Sequence, residues 1–358
     1  MKLQGTIEMD FGFALGRVHF GEENGMDKVQ ISFPLIGDMN NDTTNAVIID
    51  SSVGCTMEIN GFPALLSLKK ENESWSGSVD LESIGFHHES CATEVSKIPG
   101  FAAHHFVIPE VNIKKLQEHC DYTYEDCETD FIYELSNEEV LAYVKAKGID
   151  VENNHDFATA CALMKKTAEI IHHDGVNYTH SDDYGTIAQF EHAEKQGNFT
   201  NCRGIAIIFA GVLRAYGYKA NVVECWPEKS EVPDIHVVCE CFVEEFNKYV
   251  LLDVSSNLVY FMDGKPLSII ELRDALVQEK THLVSINKDA SHNGEKADII
   301  DKLAFMSRNL MFLRKGFRSD EDTEVEKENS FCLAPNDLIE EGYPKSARFT
   351  SNIKEFYA

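Results

Sequence analysis

The sequence predicts an α+β protein with a β-rich N-terminal domain, followed by a larger domain of helices and antiparallel strands. Three observations support this prediction. Residues 1–105 contain short, partly alternating apolar segments, residues from 106 onward contain apolar residues at helical spacing, and an apolar helix at 202–216 is followed by three strand-like runs. A chain of 358 residues exceeds the roughly 250 to 300 residues of a single core, so we predict domains at 1–105 and 106–358.

The N-terminal domain is predicted to be a β-meander or a small sandwich. Its strand-like segments include GTIEMDFGF, KVQISFPLIG and WSGSVDLESI. The stretches ENG, MNND and NGFP are typical of tight turns, because Asn and Gly accept the positive φ that such turns require.

An isolated helix is predicted at 156–174, where Asp156 is a suitable N-cap and Gly175 a suitable end. Its apolar stripe consists of Phe157, Cys161, Met164, Ala168 and Ile171. His172 and His173 at its end are expected to interact favourably with the helix dipole, and a metal site is the less favoured interpretation.

Residues 219–254 predict three strands, KANVVECW, DIHVVCECFV and KYVLLDV, with a four-residue hairpin loop at 244–247 joining the last two. Cys239 and Cys241 are then same-face strand positions rather than zinc ligands, since the chain contains no CxxC pair. Helical patterns follow at 268–278 and 299–313.

The formal net charge of −28 repels nucleic acid and anionic membrane surfaces, so we expect neither as a partner. The longest apolar run, 205–213, is far shorter than the roughly 20 residues that cross a bilayer. The first residues, MKLQGTIEMDFGFALG, lack the unbroken apolar stretch of an export signal. We therefore expect a cytoplasmic protein whose ten cysteines are free thiols.

Cys202 stands where the apolar helix begins. Thr200 or Asn201 is a suitable N-cap, which places Cys202 in the first helical turn. The unpaired N–H groups and the positive end of the helix dipole favour a thiolate there, and Arg203 adds positive charge. This position predicts a nucleophilic cysteine.

A nucleophilic cysteine needs a base, and the base needs an orienting group. If 244–247 is a hairpin loop, Val238 lies opposite Asp253, and His236 lies diagonal to Asp253 on the same sheet face. Diagonal neighbours are about 7 to 8 Å apart at Cα, within reach of an imidazole and a carboxylate. Glu240 shares this face and is the alternative partner.

The order of this cysteine, histidine and aspartate resembles that of the transglutaminase-like superfamily, in particular its bacterial members, which share a papain-like core. The matching stretches are NCRGIAIIFAGVLRAYGYKANVVEC, DIHVVCECFVEEFNKYVLLDVSSN and YFMDGKPLSIIELRDAL. The resemblance extends back to the helix at 156–174 and forward to the C-terminus. It implies an α+β fold in which the cysteine-bearing helix packs on an antiparallel sheet.

By this resemblance, Cys202 is the nucleophile, His236 the general base and acid, and Asp253 the group that fixes the histidine tautomer. Neither a metal nor a cofactor is implied. Many relatives have proline after the aspartate, where this chain has Val254, which puts the exit from the strand in question.

A side-chain donor to the oxyanion is expected just upstream of the nucleophile, and Gln196, Tyr184 and Asn201 all remain open. Trp226 either forms one wall of a substrate groove or makes only ordinary packing contacts.

These residues lead to functions of two classes. The first is a cysteine hydrolase that cleaves an amide bond of a peptide or protein substrate through a thioacyl-enzyme; with a lysine amine in place of water, the same chemistry gives a protein-glutamine crosslinker. The second is a catalytically idle binding or scaffold protein of the same fold. Hydrolysis is favoured, because the sequence gives no sign of the dry acceptor site that transamidation needs.

Overall fold

A computed structural model describes residues 5–11, 15–23, 26–32, 41–42, 44–49, 51–59, 62–71, 74–81, 85–96, 110–127, 131–134, 138–175, 177–228, 235–319 and 330–357, together with Leu3, Ser83 and Ile108. The protein is a mixture of α-helices and several β-sheets. It divides into two compact units, Met1–Pro109 and Glu110–Ala358.

The first unit contains one antiparallel sheet. Its strands are β1 (Gly5–Asp10), β2 (Leu15–Glu23), β3 (Met26–Ser32), β4 (Asn41–Asp42), β5 (Thr44–Ile49), β6 (Ser52–Ile59), β7 (Phe62–Glu71), β8 (Ser74–Leu81) and β9 (Phe86–Ser96). They lie in the order β4-β3-β2-β1-β9-β8-β7-β6-β5, so two meanders are joined where β9 pairs with β1. Burial alternates along β8, as expected for a strand with one face on a core.

The second unit contains the helices. They are α1 (Glu110–Glu118), α2 (Glu138–Ala146), α3 (Phe157–Ile170), α4 (Thr186–Lys195), α5 (Cys202–Ala215), α6 (Ile269–Val277), α7 (Ile299–Asn309) and α8 (Ile353–Tyr357). In the described part of the chain, no helix has the length and apolarity needed to cross a bilayer.

Among the described residues, thirteen strands accompany these helices. They are β10 (His172–His173), β11 (Phe199–Thr200), β12 (Ala220–Trp226), β13 (His236–Val243), β14 (Lys248–Leu252), β15 (Tyr260–Met262), β16 (Lys265–Pro266), β17 (Val284–Ile286), β18 (Ser291–His292), β19 (Glu295–Lys296), β20 (Phe312–Gly316), β21 (Ser330–Leu333) and β22 (Arg348–Thr350). The main sheet has the order β14-β13-β12-β20-β21-β22 and is antiparallel except for the pair β21–β22.

Helix α5 lies at the centre of the second unit. Every residue after Cys202 in this helix is buried, which fits an apolar run without a polar face. The helix packs on β12 and β13, and the Cys239 thiol donates to the carbonyl of Ala206 at 3.1 Å. Helix α5 thus packs on two antiparallel strands of the main sheet.

Two predicted helix ends are wrong. Helix α3 stops at Ile170, and His172–His173 form a short strand parallel to β11 instead of the end of a helix. The N–H of His172 donates to the carbonyl of Asn198 at 2.7 Å, so a partner distant in sequence overrides the helical pattern. Likewise, the pattern at 299–313 is helical only to Asn309, since Phe312 begins a strand that pairs with β12.

Gly211 allows α4 to approach α5 closely. A Cβ built at this position would lie 2.6 Å from Cγ2 of Thr186 and still closer to its Oγ1. We predict that Gly211→Ala lowers the free energy of unfolding by about 1 to 3 kcal/mol, since overpacking forces the helices apart. Urea denaturation measures this change.

Thr186→Ala provides the matched background for that measurement. Because two of the three closest atoms are removed, the cost of Gly211→Ala should be smaller in this variant than in the wild type. An equal cost in both backgrounds would show that Thr186 is not the source of the clash.

Candidate active site

The first turn of α5 carries Cys202. Of the two predicted N-caps, Asn201 takes this role, with its Oδ1 accepting from the N–H of Gly204 at 3.0 Å. Its Nδ2 donates to Nδ1 of His180 at 3.0 Å, so a residue outside the helix also holds the cap. The N–H of Cys202 is the first of the helix and has no intrahelical acceptor.

The half-buried thiol of Cys202 faces the start of β13. Burial alone would raise its pKa. The hydrogen bond and charge of His236, the N–H of Val237 and the charge of Arg203 together outweigh burial and lower the pKa of the thiol below its usual value. The site therefore favours a thiolate paired with an imidazolium.

His236 connects this thiol to Asp253. Its Nε2 lies 2.9 Å from Oδ2 of Asp253, which leaves Nδ1 as the ring nitrogen for the thiol. Both residues are deeply buried, His236 being 5% exposed and Asp253 3%. One imidazole thus contacts a thiol and a carboxylate.

The β13–β14 hairpin brings His236 and Asp253 together. Val243 pairs with Lys248, and Cys239 pairs with Leu252, so residues 244–247 form the predicted four-residue loop. Asp253 follows β14 directly, at the position that continues this register opposite Val238. The predicted diagonal contact to His236 is the hydrogen bond described above.

The turn after β14 fixes the carboxylate of Asp253. Its Oδ1 accepts from the N–H of Ser255 at 3.1 Å, and its main chain exchanges two hydrogen bonds with Leu258. Val254 begins a short 3₁₀ helix, Val254–Ser256. The hydrogen bonds of Asp253 therefore hold the turn through which the chain leaves β14, and this turn forms without a proline.

Burial and charge set the ionisation of the pair. Burial opposes the imidazolium, but the charge and hydrogen bond of Asp253, and then Cys202, raise the pKa of His236 to about 10. Burial opposes the carboxylate as well, yet His236, followed by Lys302 and His173, lowers the pKa of Asp253 to about 2. Between these values both groups are ionised.

Further side chains surround the pair. The ring of Phe305 lies 4.9 Å from that of His236, and His173 and His292 pack against each other with ring centroids 5.1 Å apart. Burial, followed by the charge of His236, lowers the pKa of His173 to about 4, so this second imidazole stays neutral. His173 and His292 are 119 positions apart in sequence, and no short-range pattern predicts their meeting.

Glu224 is a buried residue of the site region that the sequence did not indicate. Its Oε1 accepts from Nη2 of Arg203 at 2.7 Å, and its Oε2 accepts from Nε of Arg314 at 2.7 Å and from Nε1 of Trp226 at 2.6 Å. An isolated glutamate in a strand-like run carries no signal of such a network. The indole N–H of Trp226 is therefore engaged within the protein, and its ring packs against Tyr343.

Glu240, the alternative partner of His236, has other contacts. Its Oε1 accepts from the N–H of Ile269 and from the hydroxyl of Tyr357, both at 2.9 Å. These bonds hold the start of α6 and the helix α8 on the sheet. Among the described contacts of His236, the carboxylate is that of Asp253.

The three candidate oxyanion donors lie in different settings. The Nε2 of Gln196 donates to the carbonyls of Thr179 and Phe199, and Asn201 is occupied as the N-cap. The ring of Tyr184 lies 6.0 Å from that of His180, beside the cap. In the described part of the chain, no three His, Cys, Asp or Glu side chains come together in a way that could hold a metal ion.

An open pocket of about 360 Å³ adjoins the turn after Asp253. Its lining includes Val254, Ser255 and His172, with Lys165 and Asp289 as an ion pair at 3.1 Å. This volume lies in the usual range of small-molecule pockets, roughly 300 to 1,000 Å³.

No family model matches the chain, and no curated protein matches it. Among solved structures it is similar to a "putative cysteine protease" from Cytophaga hutchinsonii, with a TM-score of 0.26 and 12% identity over 81% of this chain and 83% of that chain. At this TM-score the likeness is too slight to support a fold or a function. The proposals below rest on the geometry of the site.

The ionisation of His236 is open to a direct measurement. Because its pKa in the folded protein lies above the ordinary value of about 6.5, its contribution to stability is complete below that value and is lost as the pH rises through about 10. Asp253 contributes fully above its ordinary pKa of about 3.9, and this contribution is lost as the pH falls through about 2. NMR titration should find the His236 ring protonated throughout the neutral range.

The variant Asp253→Asn tests whether the carboxylate of Asp253 causes the raised pKa of His236. Removing the carboxylate charge should lower the pKa of His236 by about a unit or more, since a neighbouring opposite charge shifts a pKa by about 1 to 3 units. A His236 ring that titrates near its ordinary value in the wild type would contradict the assignment.

Proposed function

We propose that the protein is a transglutaminase-like cysteine hydrolase with a papain-like core, which cleaves amide bonds in peptides or proteins. In this proposal Cys202 is the nucleophile, His236 the general acid and base, and Asp253 the group that orients the imidazole. The observation that supports it is a single buried imidazole in contact with both a thiol and a carboxylate. The domain boundary near residue 105 and a role of residues 1–105 in either covering the cleft or bringing substrate belong to the same proposal.

The reaction follows from this arrangement. The Cys202 thiolate attacks the amide carbon, and the carbon–sulfur bond forms as the carbonyl electrons move onto oxygen. When the tetrahedral intermediate collapses, the carbon–nitrogen bond breaks and Nδ1 of the His236 imidazolium gives its proton to the leaving amine. The products of this half-reaction are a thioester on Cys202, a neutral imidazole and a free amine.

Water completes the cycle. The neutral His236 takes a proton from water, whose oxygen attacks the thioester carbon. The carbon–sulfur bond then breaks, which releases a carboxylic acid and restores the thiolate–imidazolium pair. Asp253 stabilises the imidazolium at each stage and holds Nε2, so that Nδ1 faces the thiol.

The N-terminus of α5 supports the developing oxyanion. The N–H of Cys202 has no intrahelical acceptor, and the helix dipole places positive potential at this point. Removing one such donor in a hydrolase costs about 10²- to 10³-fold in kcat.

Transamidation is the second candidate for the same thioester, with a primary amine in place of water. The buried surroundings of His236, including the ring of Phe305, favour it by restricting water near the thioester. A catalytically idle scaffold of the same fold is the third, and the intact arrangement of the three side chains speaks against it.

Turnover of a peptide library, followed by mass spectrometry, tests this proposal. Cys202→Ala should abolish cleavage, and Asp253→Asn should lower kcat by about 10²- to 10⁴-fold, since the imidazole loses its orienting group. Cys161→Ala is the matched control, because burial raises the pKa of that thiol to about 12 and it should not react. Cleavage that survives in Cys202→Ala would refute the proposal.

A primary alkylamine added to the same assay separates the candidates. Hydrolysis yields only acids, whereas transamidation yields amides of the added amine. The absence of both products and of any reactive Cys202 would leave the scaffold function.

A further inference from the structure

We propose that Arg203, held by Glu224, is a positioning residue that fixes the first turn of α5 and keeps a positive charge beside the thiol of Cys202. This inference rests on the proposed function, because it assigns a role toward the proposed nucleophile. It concerns residues that do not touch the reacting atoms, and it is carried by a closed ring of contacts.

This closed ring of contacts starts at the thiol of Cys202. Cys202 accepts from the N–H of Val237, and Val237 pairs across the sheet with Glu224. Glu224 accepts from Nη2 of Arg203 at 2.7 Å, and Arg203 is bonded directly to Cys202 in the chain. The nucleophile is therefore tied to β13 through its sulfur and to β12 through the next side chain.

Burial makes this closed set of contacts rigid. Glu224 is 1% exposed and Arg203 5% exposed, so neither charge has water as an alternative partner. The guanidinium group forms a planar fork of donors, which matches a carboxylate better than an ammonium group does. A shift of the first turn of α5 would break this ion pair at a high cost.

The charges of the network favour a thiolate. Two guanidinium groups, those of Arg203 and Arg314, face the carboxylate of Glu224. Burial raises the pKa of the Cys202 thiol, and the contributions that lower it come first from His236 and then from the N–H of Val237. The charge of Arg203 lowers this pKa further. Arg314 contacts the other oxygen of the same carboxylate, Oε2, from β20.

Other ionisable groups from neighbouring elements face the same region. They are His236 on β13, Asp253 after β14, His173 on β10, His292 on β18, Lys302 on α7 and His180 beside the N-cap. They remain unchanged in the variants below, so a difference between those variants reports on the two arginines.

The test compares Arg203→Met with Arg314→Met in the full-length protein. Both substitutions remove one buried arginine partner of Glu224, and Arg314→Met also removes a hydrogen bond to the carbonyl of Lys345, so it disturbs the buried network at least as much. The readout is the rate at which iodoacetamide alkylates Cys202 as a function of pH, followed on the Cys202 peptide by mass spectrometry. Arg203→Met should slow alkylation below neutral pH by about threefold or more, because a nearby positive charge favours the thiolate.

Arg314→Met should leave the pH profile unchanged. An equal shift in both variants would reduce Arg203 to a purely structural role, and an unchanged profile in Arg203→Met would overturn the inference. If Arg203→Met does not fold, the alkylation profile of the Arg203→Lys variant tests the inference instead. This variant keeps the charge, so its profile should stay near that of the wild type, and a loss as large as tenfold would contradict the inference.

Failure of this inference is distinct from failure of the proposed function. A wild-type Cys202 that reacts no faster than the other thiols refutes the function itself. A fast wild-type Cys202 whose pH profile is insensitive to Arg203 refutes only the role of that arginine.

Discussion

The hydrogen bond between Cys202 and His236 joins the start of helix α5 to the start of strand β13. A different structural feature positions each of these two residues. The N-cap Asn201 sets where the helix begins, and the β13–β14 register sets which residue lies diagonal to Asp253. Because helix and strands pack directly, an error of one residue in either element would separate the sulfur from the ring.

Buried charge is the second constraint on the site. Removing a carboxylate or a guanidinium from water is expensive unless a partner is held in good geometry. Asp253 meets this condition with His236 and the N–H of Ser255, and Glu224 meets it with two arginines and an indole. The helix that carries the proposed nucleophile is therefore fixed by ion pairs at the end where its chemistry would occur.

The local parts of this arrangement could be predicted from the sequence, and the long-range parts could not. A cap at Thr200 or Asn201, the hairpin loop and the strand positions of Cys239 and Cys241 all follow from short-range rules, and these predictions are confirmed, with Asn201 as the cap. The ends of the helices near residues 170 and 309 were wrong, because pairing with β11 and with β12 overrides the helical pattern there. The Glu224 network and the contact of His173 with His292 depend on residues distant in sequence, for which periodicity offers no signal.

The central claim is that the imidazole of His236 lowers the pKa of the Cys202 thiol below its ordinary value. The ultraviolet absorbance of the thiolate, measured against pH as the difference between the wild type and Cys202→Ser, tests it most directly. The account predicts a thiolate signal that develops below the ordinary thiol pKa of about 8.5, and a return toward that value in a His236→Ala background. A difference signal that develops only near the ordinary value, or that persists without His236, would contradict the account.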